Sequence, residues 1–151
     1  MYQLDKSIHF MIIDDDVIDI KDMQRTFKKN NIDNPLHIAT NGLEALNKLL
    51  GLNGEKKIMP TPQIIILDIN MPKMNGIEFM KNIRANKQLK SLLIFIFTTS
   101  NSEKDKMEAY NLNVAGYIVK PFQVSQFMEI ISSLHRYWNL LEFPNKDKSK
   151  D

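Results

Sequence analysis

Five short apolar runs recur along this chain, and the stretch after each run has the spacing of an amphipathic helix. The runs lie at residues 10–13, 36–39, 64–67, 92–97 and 115–119. The third run, IIIL, is continuous rather than alternating, which is typical of strands buried on both faces of a parallel sheet. A buried helix segment has the same periodicity, but these runs are too short for a helix. We therefore predict an α/β fold, a doubly wound five-stranded parallel sheet with five helices.

Apolar residues at helical spacing mark the predicted helices. Asn41 is expected to cap the second helix, and Ser102 followed by Asp105 resembles a capping box for the fourth. Residues 51–62 contain two glycines and two prolines, which indicates a loop longer than usual. The apolar positions expected to face the core are Ile20, Met23 and Phe27, then Leu43, Leu46 and Leu50, then Ile77, Met80 and Ile83, and finally Phe127, Ile130, Ile131 and Leu134.

Composition excludes several classes of protein. The 151 residues are 43% hydrophobic and 25% charged, as in globular proteins. No apolar run approaches the ~20 residues of a membrane span, and the first ten residues lack a signal-peptide core, so we expect a cytoplasmic protein. The absence of cysteine excludes disulfides, thiolate zinc sites and cysteine nucleophiles. The chain has 20 Lys and Arg and 18 Asp and Glu, so its charges nearly balance. We therefore expect no broad positive electrostatic field for binding nucleic acid.

Chemically active side chains follow four of the predicted strands. In open α/β sheets, ligands bind outside the carboxyl ends of the strands, near the point where the strand order reverses. We therefore expect carboxylates, a hydroxyl and an ammonium group to converge at this edge. In strand order the residues are Asp14, Asp15 and Asp16, then Asp68, then Thr98, Thr99 and Ser100, then Lys120.

The expected cluster has an excess of negative charge. Asp14, Asp15 and Asp68 bring three carboxylates, and Lys120 brings one ammonium group. Like charges about 4 Å apart repel by roughly 4 kcal/mol at an effective dielectric of about 20, so the cluster must protonate a carboxylate or bind a hard cation. Mg²⁺ prefers such oxygen ligands. A carboxylate beside Mg²⁺, a lysine and a hydroxyl is well placed to attack a phosphoryl group. Each residue alone is an ordinary turn or cap residue, and only their joint placement favours a site.

Separated motifs, in order and at the expected strand ends, resemble the CheY-like receiver domains of two-component response regulators. They are the Asp14-Asp15 pair, LDINMPKMNG at 67–76, FTTS at 97–100 and YIVKPF at 117–122. The resemblance implies a flavodoxin-like sheet with strand order 2-1-3-4-5. It also implies a receiver domain over residues 8–137, an N-terminal extension at 1–7, and a C-terminal extension at 138–151 that is first apolar and then disordered.

The resemblance implies a phosphoacceptor site. Asp68 would accept a phosphoryl group from a histidine kinase or a histidine phosphotransfer protein. Asp14, Asp15, Asp68 and the main-chain carbonyl of Asn70 would hold Mg²⁺, and Lys120 would pair with the phosphoryl oxygens. The protein would then be a signalling protein rather than an enzyme, with self-catalysed phosphotransfer and autodephosphorylation only.

The same resemblance implies a switch next to the phosphoacceptor. Thr98 would turn its hydroxyl toward the phosphoryl group, and Tyr117 would move inward with it. Asn70 and Ser100 resemble the positions that set the rate of autodephosphorylation in that family. Gly76 would shape the loop after Asp68, with a positive φ as the expected reason for a glycine there.

The partners implied are proteins. The stretch 108–112, the long loop at 51–62 and the ending 137–144 resemble the single-domain regulators that serve phytochromes, so a phytochrome-like histidine kinase is the expected donor. We expect no attached output domain, since no helix-turn-helix or basic stripe follows residue 137. The apolar residues Trp138, Leu140, Leu141 and Phe143 are expected either to cover the domain's own surface or to pack in a homodimer that uses the fourth helix, fifth strand and fifth helix together with this extension.

Two other functions remain open at this stage. A Mg²⁺-dependent aspartyl phosphatase uses a similar nucleophile, but it normally has a second Asp two residues later, where this chain has Asn70. A receiver-like interaction module would work without phosphorylation, but it would have no reason to keep an uncompensated acid cluster. A dinucleotide-binding fold is disfavoured because no glycine-rich turn follows the first strand.

Overall fold

The computed structural model describes residues 7–123, 125–127, 129, 130 and 133, and it has strands and helices in regular alternation. Described residues 125–127, 129, 130 and 133 are also helical and form a fifth helical segment after the last strand. The elements before it are β1 (Phe10–Ile13), α1 (Val17–Lys29), β2 (Leu36–Ala39), α2 (Gly42–Leu50), β3 (Ile64–Leu67), α3 (Gly76–Ala85), β4 (Leu93–Thr98), α4 (Glu103–Asn111) and β5 (Gly116–Val119).

The five strands form one parallel sheet in the order β2-β1-β3-β4-β5, which confirms the predicted fold. The order reverses between β1 and β3, where Ile13 lies beside Leu67 in register. Asp14 and Asp68 follow these two residues directly, so the register brings both to the same edge of the sheet. The Asp68 N–H donates to the Ile13 carbonyl at 2.9 Å, which locks the two strand ends together.

The core has two halves, one on each face of the sheet. Alternate strand residues such as Met11 and Ile65 pack with α2, α3 and α4, while Phe10 and Ile64 pack with α1. Phe127 of the fifth helical segment packs edge to face on Phe97, with ring centroids 4.6 Å apart. Because both faces are covered, β1 and β3 are buried along their whole length, as the continuous apolar runs predict.

Side-chain caps fix where the helices begin at the site edge of the sheet. Asp16 caps α1 by accepting hydrogen bonds from the Ile18 and Asp19 N–H groups, and Asn41 caps α2 as predicted. Asn75 caps α3 through the Glu78 N–H at 2.9 Å. These caps satisfy N–H groups that the first helical turn leaves free.

The predicted capping box at α4 forms only in part. The Ser102 hydroxyl accepts the Asp105 N–H at 3.3 Å, as a cap should. The Asp105 carboxylate does not return to Ser102; instead it accepts the Ser100 hydroxyl at 2.6 Å. Asp105 therefore links α4 to the loop that follows β4.

Small corrections concern two core positions and two strand boundaries. Ile130 of the fifth helical segment was expected in the core but is 51% exposed, and of the described residues of that stripe Phe127 is the buried one. Leu43 was expected in the core but is 42% exposed, and Leu49 is fully buried instead, because the buried stripe runs through Ala45, Leu46 and Leu49. β4 begins one residue later than expected and extends to Thr98, so Thr98 is a strand residue. β5 also begins one residue later than expected, at Gly116.

Several sequence predictions lie outside the described residues. They are the extension at residues 1–6, the core positions Ile131 and Leu134, and the apolar C-terminal extension after residue 137. None of the helices that the structure describes is long and apolar enough to cross a membrane.

Candidate functional site

Asp14 is the most buried carboxylate at the reversal point, with a side chain only 8% exposed. One oxygen accepts the Asp16 N–H at 2.9 Å, and the other accepts Lys120 Nζ at 3.0 Å. Burial raises the pKa of Asp14 to about 6, although both hydrogen bonds act in the opposite direction. The charged form of Asp14 is therefore maintained at a cost to the folded protein.

Asp68 lies beside Asp14 and presents one oxygen to the cluster. Its Oδ1 accepts the Ile69 N–H at 2.7 Å, which fixes the orientation of the carboxylate. Its Oδ2 lies 4.0 Å from Lys120 Nζ, beyond hydrogen-bond distance. The Asp68 side chain is 12% exposed, so it is largely sheltered from solvent.

Asp14, Asp15 and Asp68 form a compact set of oxygen ligands. Each offers a carboxylate oxygen, and these oxygens lie within 4.8 Å of one another. Asp15 is exposed and Asp14 is buried, so the cluster opens on one side. Oxygen-only donors with an excess of negative charge fit a hard divalent cation. Asn70 is exposed two residues after Asp68, and its carbonyl ligand role stays a prediction.

Lys120 reaches the cluster from the end of β5. Its main-chain N–H donates to the Thr98 carbonyl at 2.7 Å, which holds the segment after β5 against β4. Its Nζ donates to Asp14 and, at 2.6 Å, to Asp19 on the first turn of α1. Burial lowers the pKa of Lys120, but the hydrogen bonds with Asp19 and Asp14 outweigh burial and raise it overall. Lys120 is therefore charged at neutral pH.

Asp19 is the site residue that the sequence does not reveal. It follows no strand end and belongs to none of the motifs. The only signal is its position three residues after the Asp16 cap, which places it on the first turn of α1. That turn faces the sheet edge where Lys120 emerges, and only the folded chain shows this.

The predicted switch residues share one small hydrogen-bond network. Thr98 is fully buried, and its hydroxyl oxygen accepts the Ser100 N–H at 3.2 Å. The Tyr117 hydroxyl donates to the Ser100 carbonyl at 2.9 Å. Since the Ser100 hydroxyl donates to Asp105, Ser100 connects β4, β5 and α4. A change at Thr98 can therefore reach Tyr117 through a single residue.

Gly76 is required for a different reason from the one expected. Its φ is not positive; in this loop the left-handed residue is Lys73, with φ of 66°. A Cβ at Gly76 would lie 2.3 Å from the Asp68 carbonyl oxygen and 2.8 Å from the Ile69 Cα. Glycine is needed because α3 begins directly against the backbone that carries Asp68.

A cavity of about 440 Å³ opens beside the acidic cluster. Asp14, Asp68 and Lys120 line its polar side, and apolar residues including Phe97 and Phe122 line the rest. The cavity therefore places the Asp68 carboxylate and the Lys120 ammonium group beside a space large enough for a small ligand.

The raised pKa of Asp14 makes a testable prediction about stability. Because the pKa is about 6 in the folded protein and 3.8 for an unperturbed aspartate, the charged carboxylate destabilises the folded state most at pH values above 6. Without divalent metal, Asp14→Asn should raise the free energy of unfolding by about 1–3 kcal/mol near pH ~8, and by much less near pH ~4. Urea unfolding at both pH values measures this. An equal change at both, or a loss of stability, would contradict it.

Comparisons with known proteins agree with this geometry. The model of the family described as "Response regulator receiver domain" matches residues 10–132. Response regulator Rcp1 of Synechocystis is 30% identical over 128 residues, which cover 85% of this chain and 86% of Rcp1. The crystal structure of its Mn²⁺-bound form matches with a TM-score of 0.74 and 29% identity, covering 91% of this chain and 99% of that one.

Two further solved structures match to the same degree. A two-component response regulator from Legionella pneumophila has a TM-score of 0.74 and 34% identity, and the match covers 86% of this chain and 98% of that chain. The phosphorylated cyanobacterial phytochrome response regulator RcpA has a TM-score of 0.74 and 27% identity, covering 91% and 99%. Each of these matches therefore covers most of this chain and nearly all of the matched protein.

Proposed function

The chain belongs to the response regulator receiver domain family, and from that premise we propose that it signals by accepting a phosphoryl group on Asp68. The observation that carries this proposal is the placement of Asp68. Its Oδ2 faces Lys120 at 4.0 Å, while Oδ1 is held by the Ile69 N–H. One oxygen is thus oriented and the other is available for a new bond.

The residues present fit Mg²⁺ as the metal of this site. Asp14, Asp15, Asp68 and the Asn70 carbonyl would hold it, and the Mn²⁺-bound form of the relative Rcp1 supports a divalent cation. When bound, the cation would neutralise negative charge on the transferred phosphoryl group. It would also relieve the repulsion between the three carboxylates.

The proposed transfer uses groups that the fold already orients. An Asp68 oxygen attacks the phosphorus of a phosphohistidine, the P–N bond breaks, and its electron pair returns to the imidazole of the donor. Lys120 compensates the charge on the phosphoryl oxygens, for which its contact with Asp19 gives way. Hydrolysis of the resulting acyl phosphate by water would end the signal, at a rate set by Asn70 and Ser100.

The switch follows from the network around Ser100. If the Thr98 hydroxyl turns to donate to a phosphoryl oxygen, its hydrogen bond with the Ser100 N–H is disturbed. The Ser100 carbonyl, which accepts the Tyr117 hydroxyl, then shifts with it. Tyr117 is half-buried and can move inward, so α4 and β5 would carry the change to the surface.

We propose that the donor is a histidine kinase of the phytochrome type or a histidine phosphotransfer protein. The match to the phytochrome response regulator RcpA supports the first. Output through another protein, a cytoplasmic location and a homodimer all stay predictions. Exposed Met107 and Tyr110 on α4 favour the dimer face, and a monomer in sedimentation runs at tens of micromolar, with and without a phosphoryl mimic, would exclude it.

Two other functions are less well supported. An aspartyl phosphatase would need an acid–base carboxylate two residues after Asp68, and the exposed side chain there is Asn70. A module that works without phosphorylation gives no account of a buried Asp14 whose pKa is raised to about 6. Turnover of a generic phosphomonoester would favour the aspartyl phosphatase over the signalling protein.

The test is Mg²⁺-dependent phosphorylation of the folded protein by acetyl phosphate, followed by intact mass. We expect a gain of one phosphoryl group with Mg²⁺, no gain with EDTA, and loss of the group after hydroxylamine, which cleaves acyl phosphates. Borohydride trapping and peptide mapping should locate the group on Asp68. No gain in a folded protein that binds Mg²⁺ would overturn the proposal in favour of a phosphorylation-independent module.

A further inference from the structure

Lys120 has three carboxylates within reach, and the one that it contacts most closely is outside the phosphoacceptor cluster. Its Nζ lies 2.6 Å from Asp19, 3.0 Å from Asp14 and 4.0 Å from Asp68. Lys120 is only 17% exposed, so few water molecules compete for its ammonium group. The lysine is therefore held toward α1 and away from Asp68.

The fold fixes Asp19 in this position. Asp16 caps α1 and accepts the Asp19 N–H at 3.4 Å, which places Asp19 on the first helical turn. Its side chain is 36% exposed, whereas that of Asp14, the other partner of Lys120, is 8% exposed. The next acid on this face, Asp22, pairs with Arg25 at 3.3 Å instead. Asp19 is thus the α1 acid that contacts Lys120.

We propose that Asp19 is a positioning residue that competes with the phosphoryl group of Asp68 for Lys120. Before phosphorylation, Asp19 holds the Lys120 ammonium group 4.0 Å from Asp68 Oδ2, which is beyond hydrogen-bond distance. During phosphorylation, Lys120 must leave Asp19 to reach the phosphoryl oxygens. An ammonium group has three donors, so the Asp14 contact can persist; the exchange with Asp19 follows from distance, because Nζ lies 4.0 Å from Asp68 Oδ2 while it contacts Asp19.

The competition has a kinetic consequence. The Asp19–Lys120 pair stabilises the unphosphorylated protein and has to be broken before the transition state, so it slows phosphorylation. A partly exposed ion pair is a modest interaction, and we expect its removal to accelerate phosphorylation about threefold to tenfold. Asp19 is not one of the clustered metal ligands, so the apparent affinity for Mg²⁺ should stay the same.

This inference rests on the proposed function, and one series of variants tests it. The rate of phosphorylation by acetyl phosphate is measured by intact mass at fixed, saturating Mg²⁺ in the native protein, Asp19→Asn, Asp19→Ser and Asp19→Glu. Asp22→Asn is the matched control, because it removes an acid one turn further along α1 that is 51% exposed and pairs with Arg25 rather than with Lys120. Urea unfolding shows that each variant is folded, and the serine variant provides a second test if the asparagine variant is not.

The expected result is a faster rate in Asp19→Asn and Asp19→Ser, a near-native rate in Asp19→Glu, and no change in Asp22→Asn. An unchanged or slower rate in folded Asp19→Asn and Asp19→Ser would overturn the role of Asp19 and leave the proposed function standing. A loss of Mg²⁺ affinity in these variants would also overturn it, because Asp19 would then act through the metal. A native protein that takes up no phosphoryl group would overturn both proposals.

Discussion

Replacement of Asp68 by asparagine should abolish phosphoryl uptake from every donor. The amide oxygen of asparagine is a poor nucleophile and cannot form an acyl phosphate, so we expect incorporation to fall at least ~100-fold, to background. The fold should survive, because the amide oxygen of the new side chain can still accept the Ile69 N–H that Asp68 Oδ1 accepts at 2.7 Å. Removal of one of three clustered carboxylates should even favour the folded state in the absence of metal. Intact mass after incubation with acetyl phosphate and Mg²⁺ measures the loss.

Asp22→Asn again supplies the control, since it makes the same chemical change on the exposed face of α1. It should be phosphorylated at the native rate. Native-level incorporation in Asp68→Asn would show that another carboxylate is the acceptor. Asp15, the exposed member of the cluster, would then be the first to replace.

Replacement of Gly76 by alanine should have the largest effect on stability. Alanine normally stabilises the interior of a helix relative to glycine by about 0.5–1 kcal/mol, so a substitution to alanine on a helix is not costly in itself. Here the added Cβ would lie 2.3 Å from the Asp68 carbonyl oxygen, and both of the contacts under 3 Å involve backbone atoms. The backbone must shift, so we expect a loss of about 3 kcal/mol or more in the free energy of unfolding. Phosphorylation should slow at least ~10-fold, because the displaced backbone carries Asp68.

A second glycine separates this steric effect from a conformational one. Gly54 has a φ of 84°, but a Cβ there meets no atom within 4 Å. Gly54→Ala should therefore cost about 1 kcal/mol through strain alone and leave phosphorylation unchanged. If Gly76→Ala were no less stable than Gly54→Ala in urea unfolding, the close approach of α3 to Asp68 would not be what requires glycine.

The sequence determined the sheet and the identity of the acidic cluster. Continuous apolar runs can be stable only if both faces are covered, so the runs at 10–13 and 64–67 matched β1 and β3 residue for residue. Given parallel strands, polar residues that follow them must meet at one edge, which brought Asp14 and Asp68 together. The caps at Asn41 and Ser102 were also readable, because such a side chain accepts an N–H group only three residues along the chain.

Only the tertiary structure decided how these groups are partnered. Lys120 and Asp19 are far apart in sequence, and no local pattern specifies that α1 presents one acid to the end of β5. The need for Gly76 came from the approach of α3 to a different strand end rather than from its own φ. Likewise Asp105 bonds to Ser100 instead of closing a capping box, because the loop after β4 places that hydroxyl 2.6 Å from the Asp105 carboxylate. Local propensity and periodicity fix the elements, whereas contacts between distant segments depend on how those elements pack.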